Sequence, residues 1–124
     1  MTDEQGKNHK RDLLNRTKAF AIRIVRFYAT LPKQAEAQVM GKQLLRSGTS
    51  VGAHYREASR ARSRIEFISK IEVGLQELEE SIYWLELLAD TGIVEGAKIH
   101  AICHEADQLM AILVSSARTT KQRA

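Results

Sequence analysis

At 124 residues the chain is long enough for one domain, and 44% hydrophobic with 27% charged residues is ordinary for a soluble globular protein. One Pro, few aromatics and the absence of β-rich stretches exclude a sheet-based fold. The longest apolar run, Leu109-Met110-Ala111-Ile112-Leu113-Val114, is too short to span a bilayer. The stretch from Met1 to Asp12 is polar and is no signal peptide, and lone Cys103 allows no internal disulfide, so a cytoplasmic protein away from membranes is expected. The net charge of +4 hides an asymmetry: residues 1–64 hold 14 Lys/Arg against 5 Asp/Glu, and residues 65–124 hold 5 against 10. A basic half and an acidic half suit either mutual attraction or a basic face for a polyanion.

In chain order, residues 1–10 read as a disordered tail. The first helix follows through Leu13, Thr17, Phe20, Ile24, Phe27 and Leu31, at alternating steps of four and three. Leu14, Ala21, Val25 and Tyr28 widen its apolar face, and Ile22 lies further round. That arc exceeds the roughly 100° a surface helix needs, so burial against another subunit is expected there. Arg16, Arg23 and Arg26 share one flank. Pro32 disfavours helical geometry at Leu31 and ends the helix.

The second helix is expected from about Lys33 or Glu36 to about Ala61, and the chain is organised around it. Its apolar seam runs Ala37, Met40, Leu44, Ser47, Val51, His54 and Ala58. Gly41, Gly48 and Gly52 form a stripe beside it. Each Gly inside a helix costs about 1 kcal/mol relative to Ala, and close approach of a neighbouring helix is the expected offset. A phosphate-cradling loop is the weaker reading, because the spacing is not that of a P-loop and no strand precedes it.

Ser63 and Glu66 form a capping box for the third helix, implying a short connection and antiparallel neighbours. That helix reads through Ile68, Ile71, Leu75, Leu78, Ile82, Leu85 and Ala89, with Glu72, Glu77, Glu79, Glu80 and Glu86 outward. Gly92 is its left-handed cap. The fourth helix begins near Val94 or Glu95, with a seam of Ile99, Ile102, Ala106, Leu109, Leu113 and Ser116. The expected fold is therefore all-α: a single-domain, antiparallel up-down-up-down four-helix bundle over residues 11–120, followed by a basic tail at 121–124.

Catalytic and metal chemistry find little support. No Glu stands three residues before a His, as a diiron bundle requires. His100, Cys103 and His104 share a helix turn but lack a second ligand cluster, and read as two surface histidines and a small thiol. Cys103 has no oriented His–acid pair. No catalytic residue, metal or cofactor is expected. The basic residues say more. Arg56, Arg60 and Arg64 are spaced as an i, i+4 ladder, with Arg62 beside it, and Lys42 and Arg46 make a similar pair upstream. Such clusters suit phosphate contacts, unless Glu72, Glu86 or Glu105 pair with them. Tyr83 and Trp84 read as a bundle-edge packing pair or as an interface.

Phe20-Ala21-Ile22, Leu31-Pro32, the run Gln43-Leu44-Leu45-Arg46-Ser47-Gly48-Thr49-Ser50-Val51-Gly52-Ala53, Tyr55-Arg56-Glu57-Ala58 and Tyr83-Trp84-Leu85-Glu86-Leu87-Leu88 occur in one order. Over residues 12–120 this resembles the bacterial four-helix-bundle family of 23S rRNA intervening-sequence proteins, which includes relatives of the accessory protein of diversity-generating retroelements. His54 departs from the pattern, which has Asn there. The resemblance implies a ring-like homopentamer with a basic surface, nucleic-acid binding, contact with a reverse transcriptase in the retroelement branch, and no catalysis.

The expected function is that of a non-enzymatic, oligomeric nucleic-acid-binding protein. Its phosphate-contacting residues would be Arg46, Arg56, Arg60 and Arg64, helped by Arg16, Arg23 and Arg26. Ile22, Val25 and Trp84 would serve the oligomer interface. The alternative is a protein-interaction scaffold, for example an accessory subunit for a reverse transcriptase.

Overall fold

The computed structural model describes residues 4–123, with side chains from residue 6 onward. Four helices account for nearly all of them: α1 (Glu4–Ala29), α2 (Ala35–Ser59), α3 (Arg64–Asp90) and α4 (Gly96–Gln122). Short turns make sequential helices antiparallel. Each helix packs on its neighbours in a closed cycle, α1 on α2, α2 on α3, α3 on α4, and α4 lightly on α1. The molecule is an up-down-up-down four-helix bundle with no strand among the described residues. No helix is long and apolar enough to cross a membrane.

Leu13, Thr17, Phe20, Ile24, Phe27 and Leu31 are all buried, as the spacing of α1 requires. Residues 4–10 are a correction, since α1 begins at Glu4 where a disordered tail was expected. Once the core-facing turns from Leu13 onward are formed, each added residue gains a backbone hydrogen bond without a new nucleation cost, so the polar start joins the helix. Residues 1–3 of the expected tail lie outside the described residues. At the other end, α4 continues through Gln122, and Lys121 pairs with Glu72 at 2.9 Å, so the first half of the expected basic tail is helical too. Ala124 lies outside the described residues.

Each turn has its own closure. At the Pro32 turn, Tyr28 donates its hydroxyl proton to Gln38 Oε1 at 3.0 Å, and Gln38 Nε2 donates to the Pro32 carbonyl at 2.8 Å. The Ser63 hydroxyl accepts the Glu66 amide at 3.0 Å, as the capping box requires. Glu66, however, reaches back to the Arg62 amide at 3.3 Å, one residue earlier than expected. Gly92 adopts φ 78°, and Ile93 N–H reaches the Leu88 carbonyl at 3.0 Å, closing α3 with a left-handed cap.

The glycine stripe of α2 faces α1. A Cβ on Gly48 would stand 2.7 Å from Ile24 Cγ1, and one on Gly52 would stand 3.3 Å from the backbone C and O of Thr17. A Cβ on Gly41 would meet Leu31 at 2.5 Å. Missing side chains therefore let α1 lie close along α2. Between α2 and α3 the close contact is polar, with the buried Ser81 hydroxyl donating to Ser47 Oγ at 2.9 Å. The buried line of α3 is accordingly Ile71, Gly74, Leu78, Ser81, Leu85 and Leu88, rotated from the expected seam. Small Gly74 and Ser81 occupy the nearest approach, while Leu75, Ile82 and Ala89 flank it half-buried.

Candidate nucleic-acid interface

The seven arginines singled out in the sequence do not form one surface. Arg16 leans across to α4, with Nη2 3.0 Å from Glu105 Oε1 and 3.1 Å from Gln108 Oε1. Hydrogen bonding to Glu105 raises its pKa further above the usual guanidinium value. Arg46 spans to α3, where Nη1 lies 3.0 Å from Glu77 Oε2 and Nη2 contacts Glu80. Glu80 also accepts the Trp84 indole N–H at 3.2 Å, and this bond, with the Arg46 contact, holds its carboxyl below the usual carboxylate range. Glu77 and Glu80 are thus half-buried against α2 instead of facing outward.

Arg64 is not part of a ladder with Arg56 and Arg60. Helix α2 ends at Ser59, Arg60 is its C-cap, and Arg64 opens α3, so the 56–60–64 spacing crosses a helix break. Its guanidinium donates to the Arg123 carbonyl and ties the start of α3 to the end of α4. Arg23 and Arg26 are exposed on α1 and make no hydrogen bond or ion pair among the described residues. At 3.6 residues per turn, Arg23 lies about 140° round α1 from Lys18.

Arg56 and Arg60 remain, and both line a groove of about 530 Å³ between α1 and α2. Lys18 joins them from α1. All three are exposed, and none has a side-chain partner among the described residues. Thr49, Gly52 and Ala53 form the α2 wall, and Leu14 and Ala21 the α1 wall. Glu57 is the one carboxylate among the lining residues, and Lys70 of α3 engages it at 2.8 Å. That contact lowers the Glu57 pKa and leaves the groove three uncompensated cations. Lys18 was missed in the sequence because it lies off the Arg16–Arg23–Arg26 flank that the spacing of α1 picks out. The available signal was Thr17: it packs on Gly52, which brings Lys18 to the same seam as Arg56.

Helix α1 also exposes Ile22 (42%) and Val25 (48%), two of the residues expected at an oligomer interface. Trp84 lies on α3, half-buried, with its ring 5.2 Å from Tyr83 in an edge-to-face arrangement. It belongs to the Arg46–Glu80 cluster and not to the Ile22–Val25 patch. His54 leaves Nδ1 buried without a hydrogen bond, 3.9 Å from Glu57 Oε1. Among the described residues no group of three or more His, Cys, Asp and Glu is arranged to hold a metal ion. Burial, with Glu86 and Asp107 nearby, pushes the Cys103 thiol pKa up.

Residues 9–115 match the family model described as 23S rRNA-intervening sequence protein. A solved structure from Bacteroides thetaiotaomicron VPI-5482, described as a protein of unknown function from the S23 ribosomal protein family, is 38% identical. It superposes with a TM-score of 0.82, covering 88% of this chain and 97% of that one. No curated protein matches. With the bundle, the central α2 motif and the match over residues 9–115 in agreement, the chain belongs to the 23S rRNA-intervening sequence protein family.

Proposed function

We propose that this protein is a non-enzymatic, cytoplasmic nucleic-acid-binding protein that holds phosphates in the α1–α2 groove and works as a homo-oligomer, a pentamer by family resemblance. The observation that carries this reading is the convergence of Lys18, Arg56 and Arg60 on one groove, unpaired, beside a carboxylate already held by Lys70. Cations without carboxylate partners are free to displace counterions from a phosphate backbone. The sparse aromatic content argues for backbone contacts over base stacking. The exposed Ile22 and Val25 support assembly through α1. A ring would repeat the groove once per subunit, so a few phosphates per subunit would produce steep salt dependence.

A salt titration of binding to mixed-sequence RNA and DNA tests this. Log K should fall with log salt at about −0.7 to −0.9 per phosphate neutralised. The triple variant Lys18→Ala/Arg56→Ala/Arg60→Ala should lose affinity and slope together. Arg46→Ala should leave the slope unchanged, because its guanidinium is held by Glu77 and Glu80. Absence of wild-type binding at about 50 mM salt, where phosphate contacts are strong, rejects the reading. The same face would then serve a protein partner, such as a reverse transcriptase in the retroelement branch.

A further inference from the structure

The end of the bundle away from the Pro32 turn holds a second cavity, which the nucleic-acid reading does not use. It lies where the start of α1, the end of α2, the start of α3 and the end of α4 meet, and has a volume of about 950 Å³. Small-molecule sites commonly span about 300–1,000 Å³. Its apolar wall comes from three helices, with Tyr55 and Ala58 on α2, Phe67 on α3 and Ile112 on α4.

Tyr55 is only 5% exposed, and its hydroxyl bonds to no described residue. Buried polar groups nearly always find a partner. Among the described residues, the one fully enclosed side-chain polar atom without a partner is His54 Nδ1. The Tyr55 oxygen therefore keeps access to the cavity that Tyr55 lines. Burial raises the phenol pKa to about 12, so near neutral pH it stays a hydrogen-bond donor. Among the described residues, the titratable groups around the cavity besides Tyr55 are His9, Lys10 and Arg123, and no carboxylate lines it. Arg64 holds the Arg123 carbonyl and anchors the last turn of α4, while the Arg123 side chain stays exposed.

We propose that this cavity binds an amphipathic organic anion. Its flat apolar body would lie against Tyr55, Phe67 and Ile112, with the Tyr55 O–H donating to it. Its carboxylate, sulfonate or phosphate would face Lys10 and Arg123. A purely apolar ligand leaves the cations unused, and a small hydrophilic anion leaves the wall uncovered.

The test is a fluorescence titration with 8-anilinonaphthalene-1-sulfonate, compared with N-phenyl-1-naphthylamine, the same ring body without the sulfonate. The anionic probe should saturate at one per chain, with Kd on the order of 10 to 100 μM for a ligand of this size. The neutral probe should bind about tenfold more weakly. Lys10→Glu/Arg123→Glu should remove that preference, and Tyr55→Phe should weaken binding several-fold. Thr119→Trp, at an exposed position on the rim, should block the cavity. Circular dichroism checks that each variant is folded, and the Lys10/Arg123 pair carries the test if Thr119→Trp is not. Equal binding of the two probes, non-saturating binding, or full binding in a folded Thr119→Trp variant overturns the proposal. RNA binding unchanged in Thr119→Trp separates this site from the α1–α2 groove.

Discussion

Replacing Gly48 and Gly74 by Ala applies the same chemical change at two buried helical positions and should move stability in opposite directions. With no neighbour in the way, Gly→Ala in a helix interior gains up to about 1 kcal/mol. At position 48 the new methyl would stand 2.7 and 2.9 Å from the two γ-carbons of Ile24, and 3.1 Å from its Cβ. Ile24 is fully buried, and a β-branched side chain in a helix has essentially one rotamer, so it cannot swing aside. Helix α1 must move instead, and overpacking of this kind costs about 1–3 kcal/mol. Gly48→Ala should therefore lose about 1 kcal/mol net. At Gly74 the same methyl meets nothing nearer than His54 Cβ at 3.8 Å, an ordinary contact. Gly74→Ala should gain about 0.5–1 kcal/mol. Urea denaturation measures both, at one protomer concentration because assembly would shift the apparent stability. A Gly48→Ala variant as stable as Gly74→Ala would refute the close-packing account of the α2 glycines.

Ile22→Glu or Val25→Glu should weaken assembly more than Glu79→Lys, because a charge buried at an interface carries a desolvation cost; light scattering reads the mass, and a wild-type mass near the 14.0 kDa of one chain defeats the prediction. Glu80 is held below the usual carboxylate range by the Trp84 indole first and then by Arg46, so its contribution is present above the unfolded value near 4.3 and is lost as pH falls through the lower folded value. Trp84→Phe should flatten that part of the profile, read as urea midpoints between about pH 5 and 3. Tyr55 titrates at about 12 in the fold against about 10 in the unfolded chain, so stability falls as pH rises from 10 to 12, by roughly 2 kcal/mol. Tyr55→Phe should abolish that component, and an identical alkaline profile in the variant would show that another group is responsible.

Much of the architecture was legible locally. The buried line of α1 runs through Leu13, Thr17, Phe20, Ile24 and Phe27, as its spacing picks out, because a period of 3.6 places them on one face whatever lies opposite. The Ser63 cap and the Gly92 turn were also legible, since both are decided by backbone chemistry within a few residues. In α3 the same method chose the seam with the most carbon and passed over Gly74 and Ser81. Which flank of a helix comes nearest its neighbour depends on the neighbour, and here Ser47, the Val51 carbonyl and the His54 Cβ face the small residues.

The candidate site was less legible, because a positive charge in a sequence carries no record of its partner. Arg46 and Arg56 look alike along α2, yet Arg46 ends on Glu77 and Glu80 while Arg56 ends in an open groove. The difference is a rotation of about 80° around one helix, which turns Arg46 toward the acidic α3 and Arg56 toward α1. The sequence by itself determined the four helices, the Ser63 and Gly92 caps of α3 and the glycine stripe, because these rest on short-range geometry and on burial of an apolar face. Only the tertiary structure decided which cations remain unpaired and that Lys18 joins Arg56 and Arg60, because Coulomb pairing depends on distances between helices, which are set when the glycines of α2 let α1 approach.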